Sequence, residues 1–133
     1  MNFKVLIDSP DFENPKPELE QYSTPIDIAI NIIKFANSLG HLSERVVDLG
    51  TGTGRLAIGA AIAGAKVTAY EIDEDVLNIA KKYAKRNKLN IKWINEPIEG
   101  IIERRHGRSL HRVRYDLVGV GWFHSRANAA HLS

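Results

Sequence analysis

The sequence contains no cysteine, a single methionine and no long apolar run. Without cysteine the chain cannot form a disulfide, a thiolate metal site or a cysteine nucleophile. No segment reaches the roughly 18 consecutive apolar residues that suggest a membrane span. The first residues also lack a basic segment followed by an apolar one, so no secretory signal is expected. These absences predict a cytoplasmic protein without a membrane partner, because a reducing compartment suits a chain without disulfides.

Neither sign of charge is in large excess, since the formal net charge is +2 over 133 residues. The basic residues are nevertheless concentrated in one short segment. Its members are Arg104, Arg105, Arg108, Arg112, Arg114, His106 and His111. Such a cluster can contact the phosphates of a nucleic acid, a solvated loop is the ordinary alternative, and the sequence leaves both open. None of the five histidines has the spacing of a zinc motif, so no metal site is predicted.

Four prolines, at positions 10, 15, 17 and 25, mark the beginning of the chain. Because proline resists helix formation, residues 1–24 are predicted to form an extended arm. A helix is predicted over 25–38, with Thr24 as its N-cap and Pro25 in the first helical position. Gly40 is placed to end this helix, since glycine tolerates the left-handed backbone that follows many helices.

Beyond residue 40, short apolar strands alternate with helices. Strands are predicted over 45–49, 66–72, 90–95 and 115–120, and helices over 55–63 and about 73–87. Strands joined by single helices run parallel with right-handed crossovers. The sequence therefore predicts an α/β fold, a Rossmann-like three-layer sandwich in one domain over residues 25–133, with its sheet truncated after about the fourth strand. The open edge of such a sheet favours a second copy or a partner subunit.

The sharpest motif is the glycine loop at the end of the first strand, Asp48-Leu49-Gly50-Thr51-Gly52-Thr53-Gly54. Glycines let the backbone turn tightly and approach a ligand, and the next helix offers free N–H groups. Dinucleotides and S-adenosylmethionine (SAM) both use such loops. Asp48 favours SAM, because a carboxylate suits cationic sulfonium and ammonium groups but not a pyrophosphate. The dinucleotide spacing Gly52-x-Gly54-x-x-Ala57 is also present but is the weaker match, since the strand ends before Gly50.

Acidic residues follow the second and third strands. Glu71 is placed to accept hydrogen bonds from both ribose hydroxyls, as carboxylates do in dinucleotide folds. Asp73 competes for this role, but an N-cap of the next helix is the favoured interpretation. Glu96 follows the third strand, near the expected edge of an adenine, and an ordinary loop position is an equal alternative.

Two segments together resemble a known family. Residues 48–54 look like motif I of class I SAM-dependent methyltransferases. The leader over residues 13–25, Glu-Asn-Pro-Lys-Pro-Glu-Leu-Glu-Gln-Tyr-Ser-Thr-Pro, closely resembles that of a family of archaeal RNA methylases. These are similar to the eukaryotic enzyme that methylates adenosine N6 in small-subunit ribosomal RNA. The resemblance, which runs from about Phe12 to Asn95, implies N6-methylation of adenosine in RNA, ribosomal RNA above all, with SAM as the cofactor.

The resemblance also implies roles for single residues. Those walling the SAM site are Gln21, Tyr22 and Thr24. Those at the methionine end are Asp48, Gly50 and Gly52. Glu71 is expected at the ribose and Glu96 at the adenine. Thr51, Gly54 and Ile72, which adjoin these positions, complete the predicted cofactor site.

The sequence departs from the family after the predicted fourth strand. The family carries Asn-Pro-Pro-Phe there, whose Asn side chain and Pro carbonyl hold the target amino group while the aromatic ring stacks on the flipped-out base. This chain has Gly119-Val120-Gly121-Trp122-Phe123 instead, and no Asn-Pro-Pro or Asp-Pro-Pro anywhere. A truncated or frame-shifted reading, or a natural remnant, is expected to look like this. A SAM-binding module without methyl transfer is therefore the alternative to an enzyme, and a dinucleotide oxidoreductase is disfavoured by Asp48.

Overall fold

The structure, a computed structural model, describes residues 1–16, 18, 21, 24–43 and 45–97, together with the backbone of residues 115–118. Its elements are, in chain order, α1 (Lys4–Ile7), α2 (Ile26–Ser38), β1 (Arg45–Leu49), α3 (Arg55–Ile62), β2 (Lys66–Tyr70), α4 (Glu74–Arg86), β3 (Ile91–Ile94) and β4 (Tyr115–Val118). None of the helices in the described ranges is long and apolar enough to cross a membrane.

The four strands form one parallel sheet in the order β3-β2-β1-β4. This confirms the predicted α/β fold with a parallel sheet. The order runs outward from β1 in both directions, with β2 on one side and β4 on the other, so the crevice at the carboxyl end of β1 is a switch point. Ligands of open α/β sheets bind at such points. The second helical layer of the predicted sandwich falls outside the described residues.

One apolar cluster joins all four helices to one face of the sheet. Val46, Val67 and Ile91 are register partners on neighbouring strands, so their side chains share this face. The helical members that pack against them include Leu6, Ala29, Ile33, Ala57 and Ala84. Burial of this apolar face is the main force that holds the described helices to the sheet.

The beginning of the chain differs from the extended arm expected over residues 1–24. Residues 4–7 form α1, and Leu6 is completely buried. The prolines begin only at residue 10, so nothing prevents a helical turn before them. Gly59 leaves room for this turn, because a Cβ there would lie 2.6 Å from Ile33 Cγ1 and 3.3 Å from Leu6 Cδ2. The first residues therefore belong to the core.

Helix α2 begins one residue later than predicted. Pro25, not Thr24, occupies the N-cap position, and no side chain caps the helix. Thr24 is buried, and its carbonyl oxygen accepts a hydrogen bond from Arg55 Nη1 at 2.7 Å. Thr24 therefore contacts the first residue of α3. Gly40, with φ +78°, follows the end of the helix as predicted.

Strands β2 and β3 are shorter than predicted. β2 ends at Tyr70, two residues before Ile72, and β3 covers 91–94 within the predicted 90–95. The backbone N–H of Glu71 still donates to the Ile94 carbonyl at 3.0 Å, so the chain turns just after this contact. β4 covers 115–118 of the predicted 115–120. The basic cluster over 104–114 lies outside the described residues.

Candidate functional site

The glycine loop, residues 50–54, connects β1 to α3 and lies over the carboxyl end of β2. Its Thr51 N–H donates to the Tyr70 carbonyl at 2.9 Å. Gly52 and Gly54 have φ values of +57° and +84°, which side chains rarely adopt. A Cβ on Gly52 would lie 2.8 Å from Phe12 Cζ, and one on Gly54 would lie 3.0 Å from Trp93 Cη2. Both positions therefore require glycine for the backbone angle and for the close approach of an aromatic ring.

Asp48, at the end of β1, is completely buried beneath this loop. The Thr51 hydroxyl donates to its Oδ2 at 2.6 Å, whereas Oδ1 has no hydrogen-bond partner of good geometry in the described part of the chain. Burial raises the pKa of Asp48 to about 7, and the nearby charge of Glu71 adds to the rise. The Thr51 hydroxyl and the Ala57 N–H oppose it. A buried carboxylate with an open oxygen is suited to a cationic or hydrogen-bond-donating ligand.

Glu71 follows β2 and reaches the same loop. Its Oε1 accepts the Gly52 N–H at 2.8 Å, and its Oε2 accepts the Asp73 N–H at 2.9 Å. Burial raises the pKa of Glu71, and these two N–H groups oppose the rise without cancelling it. The Ile72 N–H opposes the rise as well. A carboxylate has about four acceptor positions, so these contacts do not saturate it. The two bonds fix the carboxylate in orientation before any ligand arrives.

Asp48 and Glu71 thus form a pair of buried carboxylates under one loop. The negative charge of Glu71 repels that of Asp48 and adds to the rise of the Asp48 pKa. Within residues 1–97 as far as they are described, no lysine or arginine lies within ion-pair distance of either carboxylate. Two uncompensated carboxylates in a buried place are unfavourable for folding and favourable for binding a cation.

Asp73 has the capping role that the sequence favoured. Its Oδ1 accepts the backbone N–H groups of Asp75 at 3.1 Å and Val76 at 3.5 Å, at the start of α4. Its other oxygen accepts Lys16 Nζ at 2.9 Å and Gln21 Nε2 at 2.7 Å. Burial alone would raise the pKa of Asp73, but the bonds from Lys16 and Gln21 lower it below its usual range. Asp73 therefore also ties the N-terminal segment to the site.

The end of β3 joins the site through Asn95. Its Nδ2 donates to the carbonyl oxygens of Glu71 at 2.9 Å and Ile72 at 3.0 Å. Ile72 is 54% exposed and lies directly after Glu71. Glu96 is half-buried two residues beyond β3. The structure therefore brings Ile72 and Glu96 to the same edge as the carboxylates.

Other predicted site residues lie on the N-terminal side. Gln21 and Thr24 are buried, and Gln21 reaches Asp73. Tyr22 lies outside the described residues. The sequence interpretation missed Phe12, Lys16, Arg55 and Asn95. Phe12 and Lys16 fall in or beside the leader that carried the resemblance, but no local pattern indicates that Lys16 meets a residue 57 positions away. In the described ranges no group of His, Asp or Glu is arranged to hold a metal.

The comparison with protein families agrees with this geometry. A family model described as a methyltransferase domain matches residues 46–126, which include the glycine loop and Glu71. The chain belongs to this methyltransferase domain family. The resemblance drawn from the loop is thereby confirmed at the level of the family.

Curated relatives differ in the reactions that their names describe. An uncharacterized protein of Methanocaldococcus jannaschii is 46% identical over 79 residues, covering 59% of this chain and 35% of that protein. An rRNA N(6)-adenosine-methyltransferase of Danio rerio is 42% identical over 71 residues, covering 51% of this chain and 34% of that protein. A ubiquinone biosynthesis O-methyltransferase of Actinobacillus pleuropneumoniae is 30% identical over 79 residues, with coverages of 59% and 33%. The matched part of this chain thus spans about a third of the length of these relatives.

Solved structures share the fold. A provisionally named RNA methyltransferase from Pyrococcus horikoshii matches with a TM-score of 0.67 and 34% identity, covering 72% of this chain and 50% of that chain. An RNA methyltransferase from Salinibacter ruber in complex with S-adenosyl-L-homocysteine matches with a TM-score of 0.56, covering 73% and 60%, and at 23% identity it shows the fold alone. The predicted Rossmann-like fold and SAM as the cofactor of this domain type are confirmed.

Proposed function

We propose that this methyltransferase domain holds SAM at the carboxyl edge of the sheet and transfers its methyl group to N6 of an adenosine in RNA. Ribosomal RNA is the proposed substrate class. The observation that carries the cofactor part is the pair of buried carboxylates, Asp48 and Glu71, beneath a glycine loop and without a cation in the described part of the chain. SAM brings a sulfonium and an ammonium group, and either one would relieve this uncompensated charge.

The remaining predicted residues fit the same ligand. Gly50, Thr51, Gly52 and Gly54 form the loop that lets the backbone approach the methionine end. Glu71, already oriented by two N–H groups, has acceptor positions left for the two ribose hydroxyls. Exposed Ile72 offers an apolar surface to the adenine face, and half-buried Glu96 offers an acceptor at its edge. We assign Gln21, Tyr22 and Thr24 to the wall of this site.

When bound, SAM supplies a methyl group on a positively charged sulfur. The chain's own residues then have two tasks, which are to fix the cofactor and to exclude water around it. Such a reaction depends mainly on holding the amine in line with the methyl group, and it needs no metal and no catalytic triad. Asp48 would balance the positive charge of the bound cofactor, and Glu71 would set the rotation of the ribose.

Relatives support the choice of RNA adenosine as the substrate. The Danio rerio protein is named for rRNA adenosine N6, and the Pyrococcus horikoshii protein for RNA. The leader segment, which places Lys16 and Gln21 on Asp73, is part of the resemblance to RNA methylases.

Methylation of RNA can be measured directly. The protein would be incubated with isotopically labelled SAM and total ribosomal RNA, and the RNA digested to nucleosides for mass spectrometry. Labelled N6-methyladenosine is expected with the wild type and not with Glu71→Gln, whereas Asp27→Asn, an exposed site on α2, serves as the unaffected control. Label in another nucleoside, or only in a quinone-like small molecule offered in parallel, would contradict the substrate.

A module that binds SAM without transferring its methyl group is the second candidate. The observation in its favour is that the sequence has no Asn-Pro-Pro or Asp-Pro-Pro after β4, the element that positions the target amine in the resembling family. Binding of SAM without label in any RNA, even when a cell extract is added to supply a partner subunit, is the result that would favour this candidate over the enzyme.

A further inference from the structure

The segment from Ser9 to Lys16, here called the arm, lies across the carboxyl edge of the sheet, where the proposed cofactor site is. Its Phe12 ring lies against Gly52 of the glycine loop. Asp11 is 3.8 Å from the guanidinium of Arg55, the first residue of α3. Lys16 binds Asp73. The arm therefore contacts the loop, α3 and the start of α4, three elements that surround the same site.

The contact between Lys16 and Asp73 differs from an ordinary surface ion pair. The Lys16 side chain is 44% exposed, but that of Asp73 is only 4% exposed, and the Nζ–Oδ2 distance is 2.9 Å. Asp73 Oδ2 also accepts Gln21 Nε2, and the Gln21 Oε1 accepts the Lys16 backbone N–H at 2.9 Å. The three residues thus form a closed set of hydrogen bonds, which fixes the end of the arm more firmly than a single exposed pair would.

Asp73 is hydrogen-bonded to Glu71, the residue proposed to hold the ribose. Its backbone N–H donates to Glu71 Oε2, while Glu71 Oε1 accepts the Gly52 N–H. The Phe12 ring packs on Gly52, so the arm also contacts the residue that donates to Glu71 Oε1. The arm consequently contacts both ends of this hydrogen-bonded chain, at Asp73 through Lys16 and at Gly52 through Phe12.

We propose that Lys16 and Asp73 are positioning residues that latch the arm over the cofactor site, so that SAM enters and leaves only when the latch opens. The proposal rests on the SAM-binding function proposed above. Lys16 does not contact the reacting atoms in this account. It holds Phe12 over the glycine loop, and through Asp73 it holds the Glu71 carboxylate in the orientation that accepts the ribose.

A latch of this kind has a kinetic signature. Without the Lys16 charge, the arm opens more often, so bound SAM dissociates faster while its association is not slowed. Loss of the charge that pairs with a buried carboxylate is expected to act mainly on dissociation. A role confined to fold stability would instead reduce the folded fraction and leave the dissociation rate of the folded protein unchanged.

The experiment compares three lysine variants of the full chain. Lys16→Met removes the latch charge, and Lys16→Arg keeps it. Lys4→Met is the matched control, because Lys4 also pairs with an aspartate at 2.9 Å, but that aspartate, Asp8, is 53% exposed. The dissociation rate of SAM is measured by stopped-flow tryptophan fluorescence, with excess S-adenosylhomocysteine as the chase. Amide hydrogen exchange of the ligand-free proteins is measured in parallel at Gly52 and Asp73.

We expect Lys16→Met to raise the SAM dissociation rate by about tenfold or more, with Lys16→Arg near the wild type and Lys4→Met unchanged. Exchange at Gly52 and Asp73 is expected to accelerate only in Lys16→Met. An unchanged dissociation rate in Lys16→Met, with SAM still bound, overturns the latch. If the wild type binds no SAM, the proposed function fails, and unchanged exchange at the two amides then also overturns the connection between Lys16 and Glu71.

Discussion

The apolar cluster and the carboxyl edge of the sheet are stabilised in opposite ways. In the cluster, Leu6 and Ile33 are completely buried against the small residue Gly59, and apolar contact holds the helices together. At the edge, Asp48 and Glu71 are buried where burial raises their pKa values. The first region stabilises the fold, whereas the second region opposes folding unless a ligand compensates its charge. Stability and binding are therefore assigned to different residues.

Truncation of a side chain in the apolar cluster should lower the free energy of unfolding more than any other change considered below. Leu6→Ala removes a completely buried side chain and leaves a cavity beside Ile33 and Gly59. Its free energy of unfolding, measured by urea denaturation, is expected to fall by about 2–5 kcal/mol. Ile28→Ala, at a site that is 45% exposed, serves as the control and should change by no more than about 0.5 kcal/mol. Equal losses in both variants would show that α1 does not belong to the core.

The second effect, at the carboxyl edge, has the opposite sign. Burial raises the folded-state pKa of Asp48 to about 7, above its unfolded value, so its contribution favours folding at low pH and is lost as pH rises from about 4 to 7. Asp48→Asn removes this penalty. At pH 8 the variant is expected to be more stable than the wild type by about 2–4 kcal/mol.

The same measurement checks the sign. The advantage of Asp48→Asn should shrink toward pH 5, where the wild-type carboxyl is protonated. Asp27→Asn, on the exposed side of the first turn of α2, is the matched control and should show no such trend. A wild type that gains stability on going from pH 5 to 8 would mean that Asp48 is ionised at no penalty, and the contrast between the two regions would be lost.

Alanine substitutions at two glycines distinguish the cost of backbone strain from the cost of close packing. Gly40 and Gly54 have similar φ values, +78° and +84°, but a Cβ on Gly40 meets nothing within 4 Å, whereas one on Gly54 meets Trp93 and Ala80. Gly40→Ala is expected to lose about 1–2 kcal/mol from the backbone conformation alone. Gly54→Ala should lose about 1 kcal/mol more from overpacking, together with SAM affinity. If both variants lose the same free energy of unfolding and Gly54→Ala still binds SAM, Gly54 is not part of the cofactor site.

The affinity for SAM should depend on the ionisation of Asp48. With a pKa of about 7, roughly a tenth of the Asp48 side chains are ionised at pH 6, so SAM should bind about tenfold more weakly there than at pH 8. Asp48→Asn corrects for any titration of SAM itself. The SAM affinity, measured by calorimetry at both pH values, should therefore depend on pH more steeply in the wild type than in Asp48→Asn. The same pH dependence in both proteins would contradict the role of this carboxylate.

Much of the sheet was predictable because its signals are local. β1 has the predicted bounds of 45–49, since a short Val-rich run ends at a glycine loop. The approach of Asp48 to Glu71 also follows from sequence, because neighbouring parallel strands end at the same edge. Asp73 caps α4 through hydrogen bonds to residues only two and three positions further along the chain, so this contact is also local.

The unexpected features all depend on contacts between distant residues. Leu6 packs in the core because Gly59 leaves space for it, and the Thr24 carbonyl accepts a hydrogen bond from Arg55. The Lys16–Asp73 pair joins residues 57 positions apart. No periodicity or propensity encodes such partners, so the arm over the site required the structure.

Calorimetric titration at pH 8 shows whether Asp48 and Glu71, at the carboxyl edge of the sheet, hold SAM. SAM and NAD would be titrated separately into the wild type and into Asp48→Asn. We expect SAM to bind the wild type, the variant to bind SAM at least about tenfold more weakly, and NAD to bind neither protein. A folded wild type that binds NAD, or that binds SAM no better than Asp48→Asn does, would contradict a SAM site at these carboxylates.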